Sequence, residues 1–98
     1  MKINKKQDGA ELTIALEGRL DTMTAPELDR EIQGNLGGIA LLVFDLSLLE
    51  YVSSAGLRVL LSAQKVMNKQ GKMTVKNVSQ EIKEVFEVTG FDELLNIE

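Results

Sequence analysis

The sequence predicts an α/β fold: a mixed sheet of about four or five strands, opened by an N-terminal hairpin, with helices packed on it in the order β-β-α-β-α-β-α. Three observations predict it. The segment "ELTIALE" (11–17) alternates apolar and polar residues, the period of a strand with one buried face. The run "IALLVFDL" (39–46) is continuously apolar up to Asp45, the habit of a central parallel strand buried on both faces. Segments of helical period follow these strands, which implies crossover connections and a mostly parallel sheet.

Each element follows from local pattern. Residues 2–7 are polar apart from Ile3 and make a weak first strand, and Asp8-Gly9 is a hairpin-turn pair. In 11–17, Leu12, Ile14 and Leu16 face one way. "GRLDTMTAPELDREIQ" then changes period. Thr24 and Glu27 have capping-box spacing, Pro26 suits a first turn, and Ala25, Leu28 and Ile32 form a stripe, so a helix is expected over about 25–33. "GNLGG" lacks phosphate-loop spacing and reads as a connection. A short loop (47–52) follows the apolar run, then a long helix over about 54–69, stopped by Gly71. On a wheel Val59, Leu60, Ala63, Val66 and Met67 form its buried face, and Arg58, Ser62, Lys65 and Lys69 its polar face. "KMTVKNV" is a strand with Met73 and Val75 inward. Ser79 caps a helix carrying Ile82, Val85 and Phe86. Gly90 stands where a left-handed C-terminal glycine belongs, and "FDELLNIE" adds a short final turn or strand.

Composition bounds the chemistry. With 98 residues, a single domain over 1–98 is expected. The chain is 44% hydrophobic but 4% aromatic, so its core must be aliphatic. It has no Cys and no His, which removes disulfides, thiolate chemistry, a His relay and any Ser-His-Asp arrangement; neither a metal nor a cofactor is expected. A net charge of −4 and a pI near 4.8 argue against nucleic acid. No apolar run approaches the roughly 20 residues that span a bilayer, and no signal-peptide core opens the chain, so no membrane partner and a cytoplasmic location are expected.

The polar loops that should carry function lie at the carboxyl ends of the strands. On this reading Asp21, Thr22, Thr24, Asp45, Ser53 and Ser54 gather at one end. In "EYVSSAGLRVLL" (50–61), Ser54 begins the long helix, and its hydroxyl could accept the N–H of residue 56 or 57 as an N-cap does. That leaves Ser53 spare and Ala55-Gly56 unexplained. Two small residues keep bulk away from the free N–H groups, and a helix N-terminus accommodates an anion. Spacing alone leaves both readings open: a plain cap, or a serine able to carry phosphate. Leu57 and Leu61 are either core or an apolar docking edge beside the serines. Hydrolase readings find no carboxylate pair of catalytic spacing. Asp45 could stand for a receiver-domain aspartate, but the acidic pair and lysine that such a site needs are missing.

"FDLSLLEYVSSAGLRVLL" resembles the signature of STAS domains, in particular the stand-alone bacterial anti-sigma factor antagonists: an apolar strand ending in Asp, a short loop with an aromatic, then a Ser-x-Gly-Leu helix start. "EGRLDTMTAPEL" is similar to the family's Gly-x-Leu/Ile-Asp landmark, and "VTGFDELLNI" to its usual ending. The resemblance runs from about residue 9 to the end. It implies a STAS-type sheet and a non-enzymatic partner switch. The unmodified antagonist binds an anti-sigma factor that is also a serine kinase; phosphorylation of the motif serine releases it, and a phosphatase resets the switch. By position the acceptor is Ser54, with Ser53 as rival, and Asp21, Thr22, Ser53, Ser54, Gly56, Leu57 and Leu61 make the partner surface. The family usually has Asp where Ser53 stands, which removes a charge beside the acceptor. The other reading of the same pocket is a small-ligand or nucleotide-binding STAS module in another regulatory assembly.

Overall fold

The computed structural model describes all 98 residues. Four strands form one sheet in the spatial order of the chain: β1 (Lys2–Asp8), β2 (Glu11–Leu20), β3 (Leu41–Val52) and β4 (Lys72–Lys76). The helices are α1 (Ala25–Asn35), α2 (Ser54–Asn68), α3 (Gln80–Thr89) and the single turn α4 (Phe91–Leu94). β1 and β2 pair antiparallel across the Asp8–Gly9 turn, where Gly9 takes φ 61. β2, β3 and β4 run parallel. The tail adds one bridge, Ile97 beside Val75, in place of a fifth strand.

One face of the sheet is buried. Leu12, Ile14, Leu16 and Leu20 of β2, Leu42, Phe44 and Leu46 of β3, and Met73 and Val75 of β4 join Leu28 and Ile32 of α1, Leu60, Ala63 and Met67 of α2, and Ile82 and Phe86 of α3 in one core. Each of the larger side chains contributes about 1.5–3 kcal/mol by leaving water, and Ala63 less. On the other face Thr13, Ala15, Leu41 and Asp45 stay part-exposed, and none of them joins that core. On that face the run at 39–46 buries Val43, 9% exposed, but leaves Leu41 and Asp45 part-exposed, so the second face is covered only in part.

The strands are longer than the alternation suggested. β2 continues to Leu20, and β3 runs through residues 47–52, expected as loop. The pairing explains this. Between Ala15/Asp45 and Glu17/Leu48, and again between Gly18/Leu49 and Arg19/Tyr51, β3 carries one extra residue. Each bulge resets which residue faces the core, so the core-facing set Leu42, Phe44, Leu46, Leu49, Val52 steps by two, two, three and three.

The helices differ from the wheel in detail. In α2 the buried residues are Gly56, Leu57, Leu60, Ala63, Gln64 and Met67, whereas Val59 is part-buried and Val66 is 40% exposed. Gln64 donates to Asn68 Oδ1 at 2.8 Å, but its own buried Oε1 accepts nothing. Ser79 caps α3 by accepting the Ile82 N–H at 3.3 Å, and Gly90 closes it at φ 79.

Candidate functional site

Two parallel strands end together. Leu20 and Val52 are paired neighbours, and the Ser53 N–H donates to the Leu20 carbonyl at 2.8 Å, so the chain steps directly from sheet into α2. Ser53 is extended (φ −93, ψ 173); its Oγ accepts the Gly56 N–H at 3.2 Å and its carbonyl accepts the Leu57 N–H at 2.9 Å. Ser53 is thus the N-cap, a correction to the expectation that gave this task to Ser54. The reason is backbone conformation: a cap is the last non-helical residue, and Ser54 is already helical. Ser is among the preferred cap residues, and Asp would serve the same geometry with an added charge.

Ser54 is left free. It is exposed on the first turn, and its hydroxyl makes no hydrogen bond within the chain. The N–H groups of Ser54 and Ala55 have no backbone partner, as the first turn of a helix leaves them.

Gly56 has a different task from the one its spacing suggested. A Cβ there would lie 2.6 Å from Leu20 Cγ and 3.0 Å from the Leu20 carbonyl oxygen. Glycine lets α2 press against the end of β2; clearing space for an anion is not what requires it. Leu57 is only 3% exposed and packs in the core, so it offers no surface to a partner, and Leu61 is half-buried.

The loop after β2 is closed by its own side chains. Asp21 Oδ1 accepts the N–H groups of Met23 (3.0 Å) and Thr24 (3.1 Å) and the Thr24 hydroxyl (3.2 Å). Thr24 Oγ1 in turn accepts the Asp21 N–H at 2.9 Å and approaches the Arg19 carbonyl at 2.8 Å. Thr24 therefore locks the loop, and the capping box expected with Glu27 does not form, because its hydroxyl is already engaged and its backbone is helical. The Thr24 N–H, then the Met23 N–H, the Thr24 hydroxyl and the Arg19 guanidinium hold the Asp21 carboxyl below the usual carboxylate range, against a smaller opposing effect of burial. Thr22 is exposed and lines a cleft of about 320 Å³ between α1 and α2, together with Pro26, Asp29, Ala55, Arg58 and Ser62.

Asp45 does not join this site. It pairs with Ala15, five residues before the end of β2, which puts it about 17 Å away along the sheet. Burial pushes its carboxyl up, but the Asn77 side chain (3.1 Å), the Ser47 N–H (3.0 Å) and nearby Lys76 outweigh that and hold it below the usual range. Expecting it beside Ser53 followed from ending β3 six residues too early.

Three neighbours of the site escaped the sequence. Arg19 lies over the Tyr51 ring at 4.2 Å and faces Asp21 Oδ2 at 3.8 Å; Met23 is 86% exposed beside it. Only the register that sets Arg19 opposite Tyr51 brings them together, and that register depends on the two bulges. No group of three or more acidic residues converges as a metal site would require, and no helix is long and apolar enough to cross a membrane.

Comparison with known proteins gives concordant matches. The family model described as "Mlab, STAS domain" matches residues 3–96. BtrV of Bordetella bronchiseptica, described as an anti-sigma factor antagonist, is 34% identical over 93 residues, covering 93% of this chain and 80% of its own. Among solved structures, an anti-sigma factor antagonist from Mycobacterium paratuberculosis superposes with TM-score 0.88 at 23% identity, covering 98% of this chain and 83% of that one. The Bacillus cell fate determinant SpoIIAA in its phosphorylated form gives TM-score 0.77 at 17% identity, over 99% and 91%. At these identities the two structures speak for the fold.

Proposed function

The chain belongs to the STAS domain family, and from that premise we propose that it is an anti-sigma factor antagonist: a non-enzymatic switch that holds an anti-sigma factor with serine kinase activity while Ser54 is unmodified, and releases it when Ser54 carries phosphate. The observation that carries this reading is the division of labour between the serines. Ser53 is spent on the cap, so Ser54 presents an unbonded, exposed hydroxyl at a rigid junction of sheet and helix. Asp21 and Thr22, in the neighbouring loop, flank it in the proposed docking surface, with Gly56 acting from below by setting how closely α2 sits on Leu20.

The chemistry is phosphoryl transfer catalysed by the partner. The Ser54 Oγ bonds to the γ-phosphorus of ATP, the bond from that phosphorus to the β–γ bridging oxygen breaks, ADP leaves, and the hydroxyl proton passes to a base on the kinase. The product carries about −1.5 to −2 charge at neutral pH. Its own helix end tolerates it, because free N–H groups and the positive end of the dipole lie beside it. A partner surface pressed over the same spot must desolvate or repel it, at a cost of several kcal/mol. Binding is lost without unfolding. A phosphatase restores the hydroxyl: water attacks the phosphorus, the Oγ–P bond breaks, and inorganic phosphate leaves. The setting is the cytoplasm, where sigma factors act.

The test pairs the protein and ATP with serine-kinase anti-sigma factors of its own genome, mapping the phosphosite and measuring affinity. Ser54→Ala is expected to bind constitutively. Ser54→Asp is expected to weaken binding about 100-fold, equivalent to about 2.7 kcal/mol. Phosphate on Ser53 alone, or a Ser54→Asp variant that binds like the parent, refutes the reading.

A further inference from the structure

We propose that Arg58 is the internal counter-ion of a phosphate on Ser54, holding the modified serine against its own helix; this rests on the reading of Ser54 as the acceptor. Residues 54 and 58 are four apart on α2, so their side chains share a face with Cβ atoms roughly 5–6 Å apart. Both are exposed, and neither has a partner. The ion pairs of the protein are Lys5–Glu31 and Arg19–Asp21, so Arg58 is unpaired even though Asp29 of α1 lines the same cleft. The order also favours the pair, because an anion N-terminal to a cation at this spacing is the better orientation. A guanidinium matches phosphate as a planar two-pronged donor.

Competing cations are poorly placed. Lys65 is seven residues beyond Arg58, about 10 Å along the axis. Arg19 is already stacked on Tyr51 and faces Asp21. The pairing has a consequence for regulation. In the unmodified protein Arg58 is a free cation in the α1–α2 cleft; a phosphate on Ser54 draws it out. One modification then changes two things that a partner reads, the charge at Ser54 and the guanidinium in the cleft.

The experiment places phosphoserine at position 54 of the full chain during translation and follows its second ionisation by ³¹P NMR. The charged groups around it are Arg58 on α2, Asp29 on α1, Arg19 at the end of β2 and Asp21 of the loop that follows. An unpaired phosphoserine titrates near 6. The paired one is expected lower, and Arg58→Ala is expected to raise it by about 0.5 unit, with Arg58→Lys restoring part of the shift. Asp29→Asn, which removes the rival anion, is expected to lower it further. Arg58→Gln serves as a second variant, and amide spectra check that each is folded. Superimposable titrations of the parent and the two neutral Arg58 variants overturn the proposal. Because the phosphoserine is supplied directly, this outcome is separate from whether a kinase modifies Ser54: a kinase that labels Ser54 while Arg58 leaves the titration unmoved removes the counter-ion and keeps the antagonist.

Discussion

Gly56→Ala pits a local preference against a tertiary contact. In a helix, Ala is favoured over Gly by up to about 1 kcal/mol, so propensity alone expects stabilisation. The contact says otherwise. The new methyl would sit 2.6 Å from Leu20 Cγ and 3.0 Å from both Leu20 Cδ2 and its carbonyl oxygen, where unstrained carbon atoms prefer roughly 3.5–4.0 Å. Leu20 is fully buried, and its carbonyl is held by the Ser53 N–H, so neither can step aside alone. Overpacking of this kind costs about 1–3 kcal/mol. The net expectation is a loss of up to about 2 kcal/mol, or up to about 16 °C in Tm for a domain of this size. Urea unfolding should show a lower midpoint at unchanged slope. The mechanism is checked by a cycle with Leu20→Ala, which removes the crowded carbons: the double variant should be more stable than the sum of the singles by about 1 kcal/mol. A stabilised Gly56→Ala, or strict additivity in the cycle, would refute the argument.

Other expectations can be measured on the same footing. Ser53→Ala should lose about 1 kcal/mol in chemical denaturation with the cap, while Ser54→Ala should stay within about 0.5 kcal/mol; equal losses would mean that the serines share the cap. Gln64→Met should stabilise by about 1 kcal/mol, since it removes a buried acceptor that nothing satisfies. Both Asp21 and Asp45 are held below their ordinary value, so the stability they contribute is present above about pH 4 and drains as pH falls through that value towards the lowered ones. Asp21→Asn and Asp45→Asn should each flatten the acid limb of the pH–stability curve, with little change in its shape at neutral pH.

The sequence and the structure part company in instructive places. The hairpin, the Ser79 cap, the Gly90 terminus and the core face of β2 were all legible, because each rests on a pattern within a few residues. The second half of β3 was not. Its bulges depend on pairing with β2, and they turn a period of two into steps of three that look like loop. The same failure moved Asp45 into the site by mistake and hid the Arg19–Tyr51 stack. The serine pair failed for a finer reason. Ser53 and Ser54 are chemically identical, and which one caps is decided by whether the last extended residue is 53 or 54. That is set by the hydrogen bond to Leu20, invisible in one dimension. The docking edge narrowed likewise: Leu57 was readable as core or surface, and the tight seat of α2 on Leu20 settled it as core.

The opening hairpin decides how the protein can be handled. Because β1 runs antiparallel to β2, with Lys2 opposite Glu17, Met1 lies against Gly18, about 7 Å along β2 from Leu20 and the serines that follow Val52. The other terminus is elsewhere. Glu98 bonds to the Val75 carbonyl at 2.9 Å, level with Phe44 and Ile14, about 20 Å back along the same strand. An affinity tag, fluorophore or surface tether joined ahead of Met1 would crowd the end where a partner is proposed to dock. The same attachment after Glu98 leaves that end open, so a sensor chip or reporter fusion should carry the protein by its carboxyl end.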